Sequence, residues 1–193
     1  MKGTAFMVRL KNSIVAGLVL LTGLFVLTSC SNLIRPQSSG GTSETAQISR
    51  EPLDVKKVTY LVYYGGLPNV DMYIITSDLK AEKYSINPEP DKHYDYFAGE
   101  LPSEDLYEIT EFEISDSEWS GMADVLTGVN FMELDEDMST KDIIDDGASY
   151  YIMVETTDAK NISGGYVAGY DDDPDSRRFE EARQIIESTI KDR

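Results

Sequence analysis

The chain has 193 residues, of which 41% are hydrophobic, enough for one domain of ordinary size. Its 35 acidic and 17 basic side chains give a formal net charge of −18 at pH 7. This charge repels phosphate backbones and argues against nucleic-acid binding. The excess of acidic residues has two possible explanations. It increases solubility without binding anything, or it attracts a cationic partner, which would be a basic protein or a divalent metal. The single histidine excludes histidine-rich metal sites.

The first 29 residues have the pattern of a secretory signal peptide. An apolar run, Ile14 to Leu27, follows three basic residues and is shorter than the roughly 20 residues that a membrane-spanning helix needs. It ends in Leu27-Thr28-Ser29-Cys30, which resembles the lipobox of bacterial lipoproteins. The resemblance implies a diacylglyceryl thioether on Cys30, which becomes the first mature residue and is anchored in the cell membrane or outer membrane. The alternative is a small buried residue that ends a membrane anchor.

Lipidation of Cys30 would consume the only thiol, leaving no disulfide or cysteine nucleophile. Three basic and no acidic residues precede it, so the mature chain would carry 14 positive and 35 negative side chains, a net charge near −21. Residues 30–54 are rich in Ser, Thr, Gly and Gln and predict a flexible tether with a reach of roughly 27 Å. Residues 55–193 are then expected to form a single acidic domain.

Alternating β-branched and aromatic residues predict the strands of this domain. We expect side chains at alternate positions of the first strand to share a face, with Tyr60 on one face and Leu61 on the other. Gly164-Gly165 in the last strand indicates a bulge or a close backbone approach. The predicted strands are 55–64, 70–76, 81–86, 106–114, 148–157 and 162–170.

Two helices are predicted from their caps and apolar spacing. Ser115 and Glu118 form a capping box that starts a helix over about 116–126, with Gly128 at its end. Asp173-Pro174 is typical of a helix start, and the residues after it place one apolar stripe on the core. That stripe consists of Phe179, Ala182, Ile185, Ile186 and Ile190.

The element order predicts an α+β fold, an antiparallel sheet of five to six strands with two helices packed on one face. The segment Asp146 to Ile152, the glycine-rich strand after it and Phe179 in the last helix resemble small uncharacterised bacterial lipoprotein domains. That resemblance implies a fold and no activity.

Acidic residues in two loops suggest a weak calcium site, and calcium is the only cofactor that the sequence suggests. The candidate ligands are Asp135, Asp137, Asp171, Asp173 and Asp175. The last three alternate as the first ligands of an EF-hand do, but Ser176 and Ala182 stand where that loop needs glycine and glutamate. The alternative is that these acids cap the last helix, near the positive end of its dipole.

The long segment 87–102 contains the candidate ligand-binding residues His93, Tyr94, Tyr96 and Phe97. Aromatic side chains on a loop are typical contact residues. The alternative is that they fold back and cover the edge of the sheet.

These patterns favour a lipid-anchored, non-enzymatic binding module of the cell envelope, with a protein or another envelope component as its ligand. One rival is a calcium-dependent surface module. Another is a carboxylate-based hydrolase of cell-wall glycans, since paired carboxylates can cleave glycosides. Gly65-Gly66 and Gly164-Gly165 do not indicate a phosphate-binding loop, because they lack the required spacing and the lysine that follows it.

Overall fold

The structure is a computed structural model that describes residues 51–142, 144, 146–191 and 193. These residues belong to a compact unit, Ala46–Arg193. The predicted signal peptide 1–29, Cys30 and most of the predicted tether lie outside the described residues. Within the described ranges, no helix has the length and hydropathy needed to cross a bilayer.

Six strands form one antiparallel sheet, which confirms the predicted α+β class. They are β1 (Val55–Tyr63), β2 (Val70–Thr76), β3 (Lys80–Ile86), β4 (Tyr107–Glu113), β5 (Ser149–Thr156) and β6 (Lys160–Tyr166). Their order across the sheet is β4-β3-β2-β1-β5-β6, so the first strand is central.

The two helices pack together on one side of the sheet, here called the helical face. Helix α1 spans Asp116–Gly128 and helix α2 spans Pro174–Ile190. Val58 and Tyr60 of β1, Met122 of α1, and Phe179 of α2 belong to one buried cluster. The alternation predicted for β1 is confirmed, since Leu61 belongs to a second cluster on the opposite side of the sheet.

Both predicted helix starts are confirmed. The Ser115 hydroxyl accepts a hydrogen bond from the Glu118 amide, and the Glu118 carboxylate accepts one from the Ser115 amide at 2.7 Å. Asp173 caps α2 by accepting hydrogen bonds from the amides of Asp175 and Ser176, and Pro174 takes the first helical position. These caps satisfy amides that a helix start would otherwise leave free.

The prediction that the last strand reaches residue 170 is wrong. Strand β6 ends at Tyr166, because Val167 has φ +49° and Gly169 has φ +86°, which turn the chain out of the sheet. The Tyr170 amide then donates to the Val167 carbonyl at 3.2 Å. A run of apolar residues cannot reveal this turn, since valine rarely adopts positive φ.

The close approach predicted for Gly164-Gly165 is confirmed. A Cβ on Gly164 would lie 2.6 Å from the Tyr151 Cα, and a Cβ on Gly165 would lie 2.8 Å from the Ser139 amide nitrogen. The strip 136–140, here called the edge strip, runs along the outer side of β6. It is held there by bonds such as Met138 amide to Gly164 carbonyl at 2.7 Å.

Candidate functional site

The side of the sheet opposite the helices, here called the loop face, is covered by the β3–β4 connection. Leu61, Met72 and Ile86 are buried on this face. The connection, residues 87–106, brings Tyr96 and Leu101 against them. Because both faces of β1 are apolar, a sheet with helices on one face alone would leave this second face exposed to water.

A short turn of 3₁₀ helix, Tyr96–Ala98, fixes the aromatic part of this connection. The Asp95 carboxylate accepts from the Ala98 amide at 3.0 Å, and Gly99 ends the turn with φ +82°. The Asp95 amide and carbonyl both bond to Glu100, at 3.1 and 3.0 Å. These hydrogen bonds give the segment a defined conformation, despite its length.

Five aromatic rings follow one another across the loop face. Tyr94 stacks on Tyr96 with centroids 6.0 Å apart, and Tyr96 lies 6.3 Å from Tyr63 of β1. Tyr151 of β5 meets Tyr63 edge to face at 5.9 Å and Phe97 at 6.5 Å. These separations are in the range where aromatic pairs attract one another.

An open cleft of about 370 Å³ lies among these rings, here called the aromatic cleft. Its walls are Tyr63, Phe97, Ser149 and Tyr151. Its volume is within the range of small-ligand sites, and its walls combine apolar rings with hydroxyl groups.

Three of the four walls of the cleft carry a hydroxyl group. Among the described residues, none donates a hydrogen bond to, or accepts one from, the hydroxyls of Tyr63, Ser149 or Tyr151. Burial, together with the nearby phenols of Tyr96 and Tyr151 and the Asp95 carboxylate, raises the pKa of the Tyr63 phenol to about 12. The Tyr63 phenol is therefore neutral at physiological pH.

The four predicted ligand-binding residues have different positions relative to the aromatic cleft. Tyr96 is buried and is one of the five rings on the loop face, while Phe97 forms a wall of the cleft. The Tyr94 hydroxyl donates to Glu89, which raises the pKa of Tyr94 to about 12. His93 is exposed and lies outside the walls of the cleft. Tyr94, Tyr96 and Phe97 fold back on the sheet, as the alternative predicted, but Tyr96 and Phe97 contact Tyr63 of β1 and Tyr151 of β5, which lie inside the sheet.

Three of the predicted metal ligands, Asp137, Asp173 and Asp175, have partners close by in the sequence. The Asp137 carboxylate accepts from the Ser139 amide at 3.0 Å, and Asp175 pairs with Arg178 at 2.6 Å. Asp173 caps α2, and its pKa is lowered by its hydrogen bonds with Ser176.

The two acidic loops meet at one point. The Thr140 hydroxyl donates to the Asp171 carboxylate at 2.6 Å, while the backbone carbonyl of Asp135 accepts from the Ser163 hydroxyl. Over the described ranges, however, no three carboxylate, histidine or cysteine groups come together in a set that could hold a metal ion. Among the described residues, the convergence gives a hydrogen bond between the two loops.

Three walls of the cleft, Tyr63, Ser149 and Tyr151, were missing from the sequence prediction. They come from β1 and β5, which pair as Tyr63 with Ser149 and Leu61 with Tyr151. The available signal was that Tyr63 alternates onto the face without helices, where a cover is needed. The pairing with β5 is non-local and has no sequence signal of its own.

The chain matches no family model and no curated protein.

Proposed function

We propose that this protein is a lipid-anchored, extracytoplasmic envelope lipoprotein, and that its folded domain is a non-enzymatic module binding a partner protein in the aromatic cleft. The anchor is supported by the basic start, the short apolar run and Leu27-Thr28-Ser29-Cys30. Two or three acyl chains, at ~0.8 kcal/mol per buried methylene, hold a protein on a bilayer. The tether of residues 30–54 would place the domain clear of the lipid headgroups.

The observation that carries the binding role is the aromatic cleft with its unused hydroxyls. Tyrosine and serine dominate antibody binding surfaces, because a tyrosine ring supplies large contact area at a low cost in conformational entropy. Tyr63 and Tyr151 are packed against neighbouring rings, so this cost is already met in the unbound protein. The cleft therefore suits an apolar side chain of a partner, with backbone groups bonding to the hydroxyls.

The chemistry of the cleft supports binding rather than catalysis. Its described walls carry phenols, a phenyl ring and one serine hydroxyl. A serine nucleophile needs a base within hydrogen-bond reach, and the only histidine, His93, is not a wall of the cleft. The neighbouring Asp95 is engaged in capping the turn that carries Phe97.

The experiment is site-specific photocrosslinking on intact cells. A benzophenone amino acid replaces Phe97, and a matched control carries it at Glu181, which is exposed on α2. Both are made in the native chain and with Cys30→Ala. We expect one envelope protein to crosslink from position 97 of the anchored form, and not from position 181.

A second change separates binding from loss of fold. Tyr151→Ala in the position-97 probe should reduce the crosslink at least tenfold, while Tyr151→Phe, which keeps the ring, should retain most of it. Equal crosslinking from positions 97 and 181 would contradict the role of the cleft. Crosslinking to glycan alone would contradict a protein partner, and an unchanged yield with Cys30→Ala would contradict the role of the anchor.

A further inference from the structure

The two edge strands of the sheet, β6 and β4, differ in whether another segment of the described chain pairs with them. The outer side of β6 is bonded to the edge strip, through Gly164 amide to Glu136 carbonyl at 3.1 Å and Thr140 amide to Tyr166 carbonyl at 3.0 Å. The opposite edge, β4, has no neighbouring strand within the described part of the chain. An uncovered edge presents a row of free amides and carbonyls that can pair with another chain.

The ladder between β3 and β4 identifies the outward-facing groups. Hydrogen bonds from Asn87 to the Leu106 carbonyl and from Ile114 to the Leu79 carbonyl, at 2.8 and 3.1 Å, continue this ladder at its two ends. Since bonded pairs alternate in an antiparallel ladder, every second residue between them turns its backbone outward. The outward-facing residues are Tyr107, Ile109, Glu111 and Glu113.

The outer amides and carbonyls of these residues are unused. No hydrogen bond from the described residues reaches them beyond the β3 ladder. Ile109, at the middle of the strand, is 49% exposed. A partner strand would therefore add hydrogen bonds here and cover an apolar side chain at the same time.

The charge on this edge determines which strand fits. Glu108, Glu111 and Glu113 lie on β4, and Glu82 of β3 is directly opposite Glu111. Like charges directly opposite one another destabilise a sheet. Glu82, Glu111 and Glu113 also line one open hollow of about 510 Å³, together with a single lysine, Lys80, which is opposite Glu113. Pairing of β4 with a second copy of itself would bring six glutamates together and is therefore disfavoured.

We propose that the outer edge of β4 binds an extended basic segment of a partner protein by antiparallel strand addition. Lysine side chains of that segment lie opposite Glu113, Glu111 and Glu108, and an apolar side chain lies opposite Ile109. This surface is separate from the aromatic cleft, since β4 is the edge strand and the cleft lies between β1 and β5. An experiment that contradicts binding at one of these two sites therefore leaves the proposal for the other site intact.

The probe is a synthetic seven-residue peptide, KVKTVKY, with blocked ends. Its first, third and sixth residues place lysines opposite Glu113, Glu111 and Glu108, and its fifth places valine opposite Ile109. Its affinity for the full-length chain in detergent is measured by fluorescence anisotropy against a scrambled peptide of the same composition. We expect the designed order to bind at least tenfold more tightly.

Backbone methylation of the peptide tests strand addition directly. The amides of the third and fifth residues would donate to β4, whereas the fourth would point away. We expect N-methylation at the third residue to weaken binding about tenfold and at the fourth about twofold or less. Equal losses at the two positions, or equal affinity of the scrambled peptide, would overturn the proposal.

Two variants of the protein, tested with the unchanged peptide, examine the role of β4. Ile109→Pro removes one outward donor and no bond of the β3 ladder, so the fold is retained while binding falls about tenfold. Converting Glu108, Glu111 and Glu113 to glutamine should weaken binding about tenfold. A control with the same loss of charge elsewhere should change it less than threefold, namely Asp91→Asn, Asp124→Asn and Glu181→Gln. Equal weakening by both triple variants would overturn the assignment to β4.

Discussion

Gly165→Ala is expected to lower the free energy of unfolding by about 3 kcal/mol, because it separates the edge strip from β6. Gly165 has φ +149°, a conformation that alanine adopts only under strain. The added methyl carbon would lie 2.8 Å from the Ser139 amide nitrogen and 3.0 Å from the Ser139 Cα. These are backbone atoms, so the contact is relieved only by displacing the strip.

The magnitude combines two costs. Holding a residue with a side chain in this backbone region costs about 1–3 kcal/mol. Displacing the strip breaks four hydrogen bonds: Met138 amide to Gly164 carbonyl, Gly164 amide to Glu136 carbonyl, Thr140 amide to Tyr166 carbonyl, and Tyr166 amide to Ser139 hydroxyl. Each contributes a net 0.5–1.5 kcal/mol or so. The low ends of both ranges together give about 3 kcal/mol.

Urea unfolding monitored by circular dichroism gives the stability, and amide hydrogen exchange locates the change. Met138 and Thr140 should lose protection while Leu61, in the centre of the sheet, keeps it. Gly121→Ala is the matched control, since a Cβ there has no neighbour within 4 Å and the site is inside α1. It should gain about 0.5–1 kcal/mol. A Gly165→Ala protein as stable as the wild type, with Met138 and Thr140 still protected, would refute this reasoning.

Three further predictions concern the caps, the tyrosines and the helix–sheet contact. Ser115→Ala should cost about 1 kcal/mol in thermal unfolding, because it removes the capping box, whereas Ser120→Ala in the exposed body of the same helix should be neutral. Stability should fall as pH rises from about 10 to 12, because the pKa of Tyr63 is about 12 in the folded chain and near 10 when unfolded. Its phenol then loses its proton first in the unfolded state, and Tyr63→Phe should show a smaller decline in urea midpoints over this range. Tyr60→Phe should cost about 1 kcal/mol in the same assay, because the buried Tyr60 hydroxyl donates to Glu187 at 2.6 Å, and an unchanged midpoint would contradict this.

Local signals were sufficient for most of the fold. Runs rich in β-branched and aromatic residues predicted the six strands, although 106–114 does not alternate cleanly, and the pairs Ser115–Glu118 and Asp173–Pro174 located both helix starts. These features depend on neighbours within four residues, which is the range that side-chain spacing encodes. The end of β6 was wrong because it depends on Val167 at positive φ, which no pattern indicates.

The candidate site was only partly predictable. Phe97 was identified from loop composition, but Tyr63, Ser149 and Tyr151 required the register between β1 and β5. Register across a sheet is set by long-range packing and has no signature in either strand alone. For the acidic loops the sequence left a calcium site and helix capping open, and in the structure Asp173 caps α2 while Asp175 pairs with Arg178.

The central place of β1 has a consequence for how the chain folds. Its hairpin with β2 can close as soon as both are made, but its other side must wait for β5, where Val62 pairs with Tyr150. Contacts this distant in sequence form slowly, because the loop between them has to be closed first. The apolar core therefore cannot close before most of the polypeptide has been synthesised. Such a delay would suit the export that we propose, in which the chain passes through a translocation channel before it folds.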